Sequence, residues 1–308
     1  MIIIPQTTLS VFPLCLGGNV FGWTIDEKQS HAVLNAYFEH GGNFVDTADV
    51  YSEWQDGNVG GESETIIGDW IKSRHNRDQF IVATKVAKLS TRPGLSAKNI
   101  LAACDDSLKR LKTDYIDLYY SHDDDPNTPL QESLTAFSTL IEQGKVRYIA
   151  SSNYSPERMT EALEVSKEHG LASYIGVQNQ YNLLDRKPYE DGMSDVVAAN
   201  NLSCLPYLAI ARGFLTGKYQ PGVTVDSVRA ASAVTYQNER GWKTLSLVTD
   251  IAKSHGVPLA AVALAWLRSQ STVSVPISAA RTVEQLEEII QMVELSSDEI
   301  AELTDITA

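Results

Sequence analysis

Only three cysteines occur in 308 residues, Cys15, Cys104 and Cys204, far apart and outside any paired-cysteine or cysteine/histidine ligand pattern. That spacing excludes a disulfide framework and a cysteine-built zinc site, and buried thiols in a reducing compartment are the expectation. Basic residues are also scarce: 25 Lys and Arg stand against 39 Asp and Glu, a net charge of -14. With no basic stripe to release counterions from phosphates, neither nucleic acid nor an anionic membrane is an expected partner. No hydrophobic run is long enough to span a bilayer. Val257 to Leu267 is too short and is followed by Arg268, so it reads as a buried helix. The first nine residues lack a cationic start and an export-type cleavage site, which makes a cytoplasmic protein the expectation. A glycine-rich dinucleotide fingerprint is missing too: Gly17-Gly18-Asn19-Val20-Phe21-Gly22 has the wrong spacing and leads into a loop.

What is present is an alternation. With 43 % hydrophobic residues and no marked linker, residues 1–308 read as a single domain with a sizeable core. Short β-branched or aromatic runs alternate with helical patterns at a period of roughly thirty to forty residues, the spacing of repeated strand-helix units. The strands are read as Leu14 to Leu16, Asn43 to Asp46, Phe80 to Lys85, Tyr115 to His122, Val146 to Ser152, Tyr174 to Gln178, Ser203 to Tyr207 and Val273 to Ile277. Asp26, Ser63, Ser96 and Ser155 (with Pro156 next) stand where helices start, and Gly41, Gly144, Gly170 and Gly256 where they stop. Tyr219 to Trp242 reads as a long surface loop. Strand-helix alternation without the fingerprint favours an α/β fold of the closed kind, a (β/α)8 TIM barrel. Ile2 to Ile4 and Ser10 to Phe12 are expected to form an N-terminal β-hairpin plugging its bottom, with extra helices at the C-terminus.

Four polar residues sit at or just beyond predicted strand ends: Asp46, Tyr51, Lys85 and His122. Singly, each has a structural explanation as a turn cap, half-buried aromatic, strand-end charge or backbone partner. Together they point to one proton-transfer site at the carboxyl ends of a barrel. A strand that runs Phe80-Ile81-Val82-Ala83 before Lys85 must supply that ammonium with an anion, and Asp46 is the candidate. The run His122-Asp123-Asp124-Asp125-Pro126 is read as a solvated acidic turn and not a metal site, since strand neighbours alternate faces. Trp23 and Trp54, in loops above the same face, are candidates for substrate contact, with Tyr236 a weaker one; loop packing is the alternative for all three.

Several segments resemble the aldo/keto reductase family: Gly41-Gly42-Asn43-Phe44-Val45-Asp46-Thr47-Ala48-Asp49-Val50-Tyr51, Gly61-Glu62-Ser63-Glu64, the strand ending in Lys85, and Asp117-Leu118-Tyr119-Tyr120-Ser121-His122. So do Ser151-Ser152-Asn153-Tyr154, Val177-Gln178-Asn179-Gln180-Tyr181-Asn182, Arg212-Gly213-Phe214-Leu215-Thr216-Gly217-Lys218-Tyr219 and Arg281-Thr282-Val283-Glu284-Gln285-Leu286. Within the family the chain looks most like the bacterial branch with aryl-alcohol dehydrogenase-like and potassium-channel β-subunit-like members. The resemblance implies a barrel that reduces aldehydes and ketones to alcohols with NADPH, or NADH, and no metal, acting on a small-molecule carbonyl or alcohol. The second implied reading is a nucleotide-sensing partner protein with slow turnover. No motif specifies an oligomeric state.

The family's catalytic tetrad would fall on Asp46, Tyr51, Lys85 and His122. Tyr51 is then the acid, and an ammonium about 4 Å away would favour its phenolate by up to roughly 4 kcal/mol, or about three pKa units. His122 would donate to the carbonyl oxygen. Ser152, Asn153 and Gln178 would hold the carboxamide, and Tyr207 would stack on the nicotinamide. Leu208, Ala209, Ile210, Ala211, Arg212, Gly213 and Lys218 would wrap the pyrophosphate, and Gly18, Asn19 and Asp46 would flank the nicotinamide ribose. Ile277, Ala279, Ala280, Arg281, Gln285 and Glu288 would surround the adenosine phosphate and adenine, with Arg281 on the 2′-phosphate. Departures include Leu208-Ala209 for a common Ser-Pro and Ser278-Ala279 for a usual Pro-Gly. Gly18 stands where a threonine is frequent, which would widen the space beside the ribose.

Overall fold

The computed structural model describes residues 1–307. Eight parallel strands form one sheet: β3 (Cys15–Gly17), β4 (Phe44–Asp46), β5 (Ile81–Val86), β6 (Ile116–Ser121), β7 (Val146–Ser152), β8 (Tyr174–Gln178), β9 (Ser203–Cys204) and β10 (Ile277–Ser278), in the spatial order β10-β3-β4-β5-β6-β7-β8-β9. The seam between β9 and the segment leading into β10 is hydrogen-bonded. Cys204 N donates to Thr272 O at 3.0 Å, Ser274 N to Cys204 O at 2.9 Å, and Ile277 N to Pro206 O at 2.9 Å. Those bonds close the sheet into a (β/α)8 barrel.

Two apolar clusters follow from strand periodicity. Phe44, Ala83, Leu118, Tyr120, Ala150, Leu205 and Val275 meet inside the barrel, while Val45, Val82, Tyr119, Ile149 and Val177 pack outward against helices. The inner cluster also takes in Ile4, Leu9 and Val11 from the hairpin of β1 (Ile2–Ile3) and β2 (Ser10–Val11), so the hairpin plugs the end where the strands begin. A register shift between β7 and β8 lets both Ile175 and Gln178 face inward.

The outer ring contains α1 (Glu27–Glu39), α2 (Glu62–Arg74), α3 (Ala97–Leu111), α4 (Leu130–Glu142), α5 (Pro156–His169), α6 (Lys187–Glu190), α7 (Met193–Ala199), α8 (Ala230–Ala233), α9 (Glu239–His255), α10 (Leu259–Ser269) and α11 (Val283–Ile289), with α12 (Ser297–Ile306) as the extra C-terminal helix. Asp26, Ser96 and Ser155 cap α1, α3 and α5 through their side chains. α10 is the buried helix its composition predicts, and among the described residues no single helix is long and apolar enough to cross a membrane.

Three expectations need correction. α2 is capped at Gly61, φ +85°, and not at Ser63, which lies inside the helix. Ser63 is spent elsewhere: its hydroxyl donates to Gly18 O at 2.8 Å and accepts from Thr47 Oγ1 at 2.8 Å, tying two strand ends together. The last strand is displaced toward Ile277–Ser278, because Val273 makes only an isolated bridge to Cys204. The stretch from Tyr219 to Trp242 is a loop only through Arg229; α8, a 3-10 turn at Val234–Tyr236 and the start of α9 follow.

Candidate active site

Asp46 ends β4 and Lys85 lies one residue from the end of β5, and the parity that puts Phe44 and Ala83 inside the barrel turns both side chains inward. Lys85 is fully buried, and its ammonium donates to Asp46 Oδ2 at 2.6 Å, Thr47 O at 2.7 Å and the Tyr51 hydroxyl at 3.0 Å. The Tyr51 hydroxyl donates to Asp46 Oδ2 at 3.3 Å, and Gln178 Nε2 donates to Asp46 Oδ1 at 2.9 Å. Tyr51 comes close because the turn after β4 runs along β5, Thr47 N donating to Ala83 O and Asp49 N to Lys85 O. The His122 ring stands edge-on to Tyr51 at 5.9 Å. All four expected residues therefore converge at the carboxyl ends of the strands.

The electrostatics differ from the expectation in one respect. Burial holds Lys85 below its usual range, against the pull of Asp46. Tyr51, expected to be acidified by Lys85, is pushed up: burial leads, and the Asp46 carboxylate adds to it. The resting residue is a neutral phenol whose hydroxyl is already held by an ammonium. Burial, with Lys85 and Lys88 beside it, keeps His122 well below its ordinary range, hence a neutral imidazole. Its Nδ1 is buried with no partner among the described residues.

Ser152, Asn153, Gln178 and Tyr207, expected at the nicotinamide end, are joined to this group by hydrogen bonds. Ser152 Oγ donates to Gln178 O, Asn153 Nδ2 donates to His122 O at 3.0 Å, and the Tyr207 hydroxyl donates to Asn153 Oδ1 at 2.8 Å. Gln178 spends one amide N–H on Asp46, which leaves its carbonyl oxygen for a ligand. Gly18 does not widen the site: its N donates to Asp46 O at 2.7 Å, and a Cβ there would lie 2.8 Å from Ser63 Oγ. Asn19 follows it, half-buried. In the Leu208-Ala209-Ile210-Ala211-Arg212-Gly213 segment, Leu208, Ala211 and Arg212 have φ of 54°, 49° and 56°, and Gly213 continues at 84°. Such a concentration of left-handed residues costs backbone energy, which the surrounding packing has to offset. Ile277, Ala279, Ala280 and Arg281 follow one another out of the last strand, Gln285 folds back to accept from Arg281 N, and Glu288 is exposed on α11.

Sequence reasoning missed Arg229. Its guanidinium stacks on Trp23 at 5.1 Å and is lowered by burial and by the nearby Arg212. Arg212, Lys218, Arg229 and Arg281 all follow β9 or β10, and among the described residues none of them forms an ion pair. In so acidic a chain, unpaired cations collected on one rim suit a polyphosphate, and the Ser278 hydroxyl, buried and unpartnered, adds a donor at the same strand end. The donor set fits a dinucleotide phosphate.

Trp54 is 49 % exposed, edge-on to Tyr51 at 6.1 Å and to Trp23 at 5.5 Å. Tyr236 is not part of this wall: it is 4 % exposed, packs on Phe214 and donates to Asp185 at 2.5 Å. The three acids after His122 go separate ways: Asp123 to Lys88, Asp124 to Arg158, and Asp125 to Leu95 N and Thr128.

The sequence profile described as the Aldo/keto reductase family matches residues 13–308. The chain is 33 % identical to Protein tas of Escherichia coli over 97 % of its own length and 95 % of that protein's. It is 32 % identical to the L-glyceraldehyde 3-phosphate reductase of Escherichia coli, covering 92 % and 85 %. A probable voltage-gated potassium channel subunit beta from Arabidopsis thaliana is 31 % identical, covering 94 % and 90 %.

Proposed function

Because this chain belongs to the aldo/keto reductase family of NAD(P)H-dependent oxidoreductases, we propose that it reduces aldehydes or ketones with NADPH, Tyr51 delivering the proton. The observation that carries the reading is the fully buried Lys85, joined at once to Asp46 and to the Tyr51 hydroxyl. Nicotinamide, when bound, supplies the hydride. What this chain does is receive the charge left on oxygen. An alkoxide binds a proton more tightly than a phenolate does, so Tyr51 gives up its proton as that charge grows. The resulting phenolate lies 3.0 Å from an ammonium, which stabilises it far more in a buried site than in water. Asp46 keeps Lys85 charged against burial. His122, neutral, donates to the carbonyl oxygen and fixes its direction toward Tyr51.

Ser152, Asn153 and Tyr207 are assigned to the nicotinamide end, Arg212, Lys218 and Arg229 to the pyrophosphate, and Arg281 to the 2′-phosphate. The free face of Trp54 beside Tyr51 supports planar carbonyl compounds as substrates. The test follows NADPH absorbance against a panel of aromatic aldehydes, short dicarbonyls, sugars and ketosteroids. Tyr51→Phe should lower turnover by about two to four orders of magnitude with cofactor affinity within twofold or so. Unchanged turnover would sink the role. Tight NADPH retention with negligible turnover across the panel would favour the second reading, a nucleotide-sensing partner protein, which the likeness to a channel β-subunit supports.

A further inference from the structure

Behind the catalytic strand lies an acid that the chemistry above does not use. Lys85 points into the barrel, and Thr84, its neighbour on β5, faces the helices. Thr84 Oγ1 donates to Glu64 Oε1 at 2.5 Å and Arg110 Nε donates to Oε2 at 2.6 Å, so the fully buried Glu64 carboxylate is satisfied. Asp49 shares that region, 1 % exposed, with neither carboxyl oxygen hydrogen-bonded among the described residues. A buried carboxylate without a partner is strongly penalised, and one that keeps its proton escapes the penalty.

Asp49 is tied to the site by the backbone, because it lies between Asp46 and Tyr51 and its N–H donates to Lys85 O at 3.2 Å. The charged and titratable groups around it are Glu64 from α2, Arg110 from α3, Arg92 from the loop after β5, Tyr119 from β6 and Lys85 from β5. Arg110 is taken by Glu64, and Arg92 donates to Asp106 at 3.0 Å. Neither guanidinium hydrogen-bonds Asp49, although both pull its carboxyl down and Arg92 Nε is itself buried without a partner among the described residues. Burial first, then Glu64, pushes its carboxyl up to about 7.

We propose that Asp49 is a positioning residue for proton transfer, neutral in the active enzyme and inhibitory when ionised. The assignment rests on Tyr51 as proton donor. Asp49 hands no proton to substrate; it exchanges its own with solvent. Ionised, it sets a second carboxylate behind Lys85, which holds the lysine proton harder and raises the cost of phenolate at Tyr51. It also repels Glu64, straining the turn that carries Tyr51.

The test compares wild type with Asp49→Asn, a change that keeps the volume and breaks no side-chain hydrogen bond. The ratio of variant to wild-type kcat for carbonyl reduction is expected to rise about threefold to tenfold between roughly pH 6 and pH 8.5. A residue that merely fills space would leave that ratio flat. Difference infrared spectroscopy reads the carboxyl without turnover. The wild type should show a protonated-carboxyl C=O band at the low end of the range that fades toward the high end and is missing from Asp49→Asn. A flat kcat ratio, or no such band, overturns the assignment. The band present in a protein that turns over no carbonyl would sink the reductase reading and leave Asp49 a neutral buried acid.

Discussion

Removing Lys85 should cost the fold more than removing the whole ion pair. The ammonium is fully buried and makes three hydrogen bonds, to Asp46, Thr47 O and Tyr51. In Lys85→Met, Asp46, 2 % exposed, keeps Gln178 on one oxygen but only the longer Tyr51 contact on the other. A buried charge stripped of its partner costs about 3–5 kcal/mol. Asp46→Asn leaves the complementary orphan, and Lys85, already lowered by burial, sheds its proton to limit the loss, for roughly 2–3 kcal/mol. The double variant buries no charge, so its cost should be about 3 kcal/mol where simple addition gives about 5–8 kcal/mol. Urea titrations of the four proteins, followed by far-ultraviolet circular dichroism, yield the coupling directly. Additivity within about 0.5 kcal/mol would show that the two side chains do not depend on each other. That result would remove the electrostatic basis of the site, whatever the activity of the variants.

The Asp49 carboxyl, raised from 3.8 to about 7, binds a proton in the folded state that the unfolded chain has released. Its contribution is therefore fully present below about pH 4 and is lost as pH climbs through 7, a span worth roughly 4 kcal/mol. Asp49→Asn should flatten that decline, and urea midpoints measured at about pH 5 and pH 8 decide it: equal slopes for both proteins would refute the assignment. Gly68→Ala places a Cβ 2.2 Å from Arg110 O and 2.7 Å from Leu111 Cα, so α2 and α3 must part. Although alanine gains about 1 kcal/mol in helix propensity, overpacking should leave a net loss of about 1–2 kcal/mol, seen as a lower melting temperature. Arg281→Gln should raise KM for NADPH about tenfold or more and leave KM for NADH within about twofold; parallel changes would remove Arg281 from the 2′-phosphate.

What could be read in advance tracks where a side chain's environment is set. Barrel class and most strand positions were legible because inward and outward residues alternate, and that alternation is written into Phe44-Val45-Asp46 and Ala83-Thr84-Lys85 as much as into the fold. The Lys85–Asp46 pair was legible for the same reason, since a charge at the end of an apolar strand demands a partner. Ser63 was misread because its local signal, a serine at a helix start, competes with a tertiary one: Thr47 and Gly18 claim its hydroxyl, and the positive-φ Gly61 takes the cap. Arg229 carries no signal at all in a stretch without periodicity. Only the folding of its loop onto Trp23 shows where it goes.

β5 explains why the acid behind the site was missed while the one inside it was found. Neighbouring residues on a strand serve opposite faces, so Lys85 belongs to the barrel interior and Thr84 to the helix layer with Glu64 and Arg110. Sequence reading follows each face for its own purpose, cation for chemistry and apolar residues for packing. Asp49 belongs to both: its backbone is bonded to Lys85, and its carboxyl lies with the helix-layer charges. The available signal is the acid pair Asp46 and Asp49 in one short turn, where a single buried lysine can neutralise only one of them. The carboxyl left over gains no hydrogen bond from Arg110 or Arg92, and burial, with Glu64 beside it, outweighs their pull and raises it to about 7.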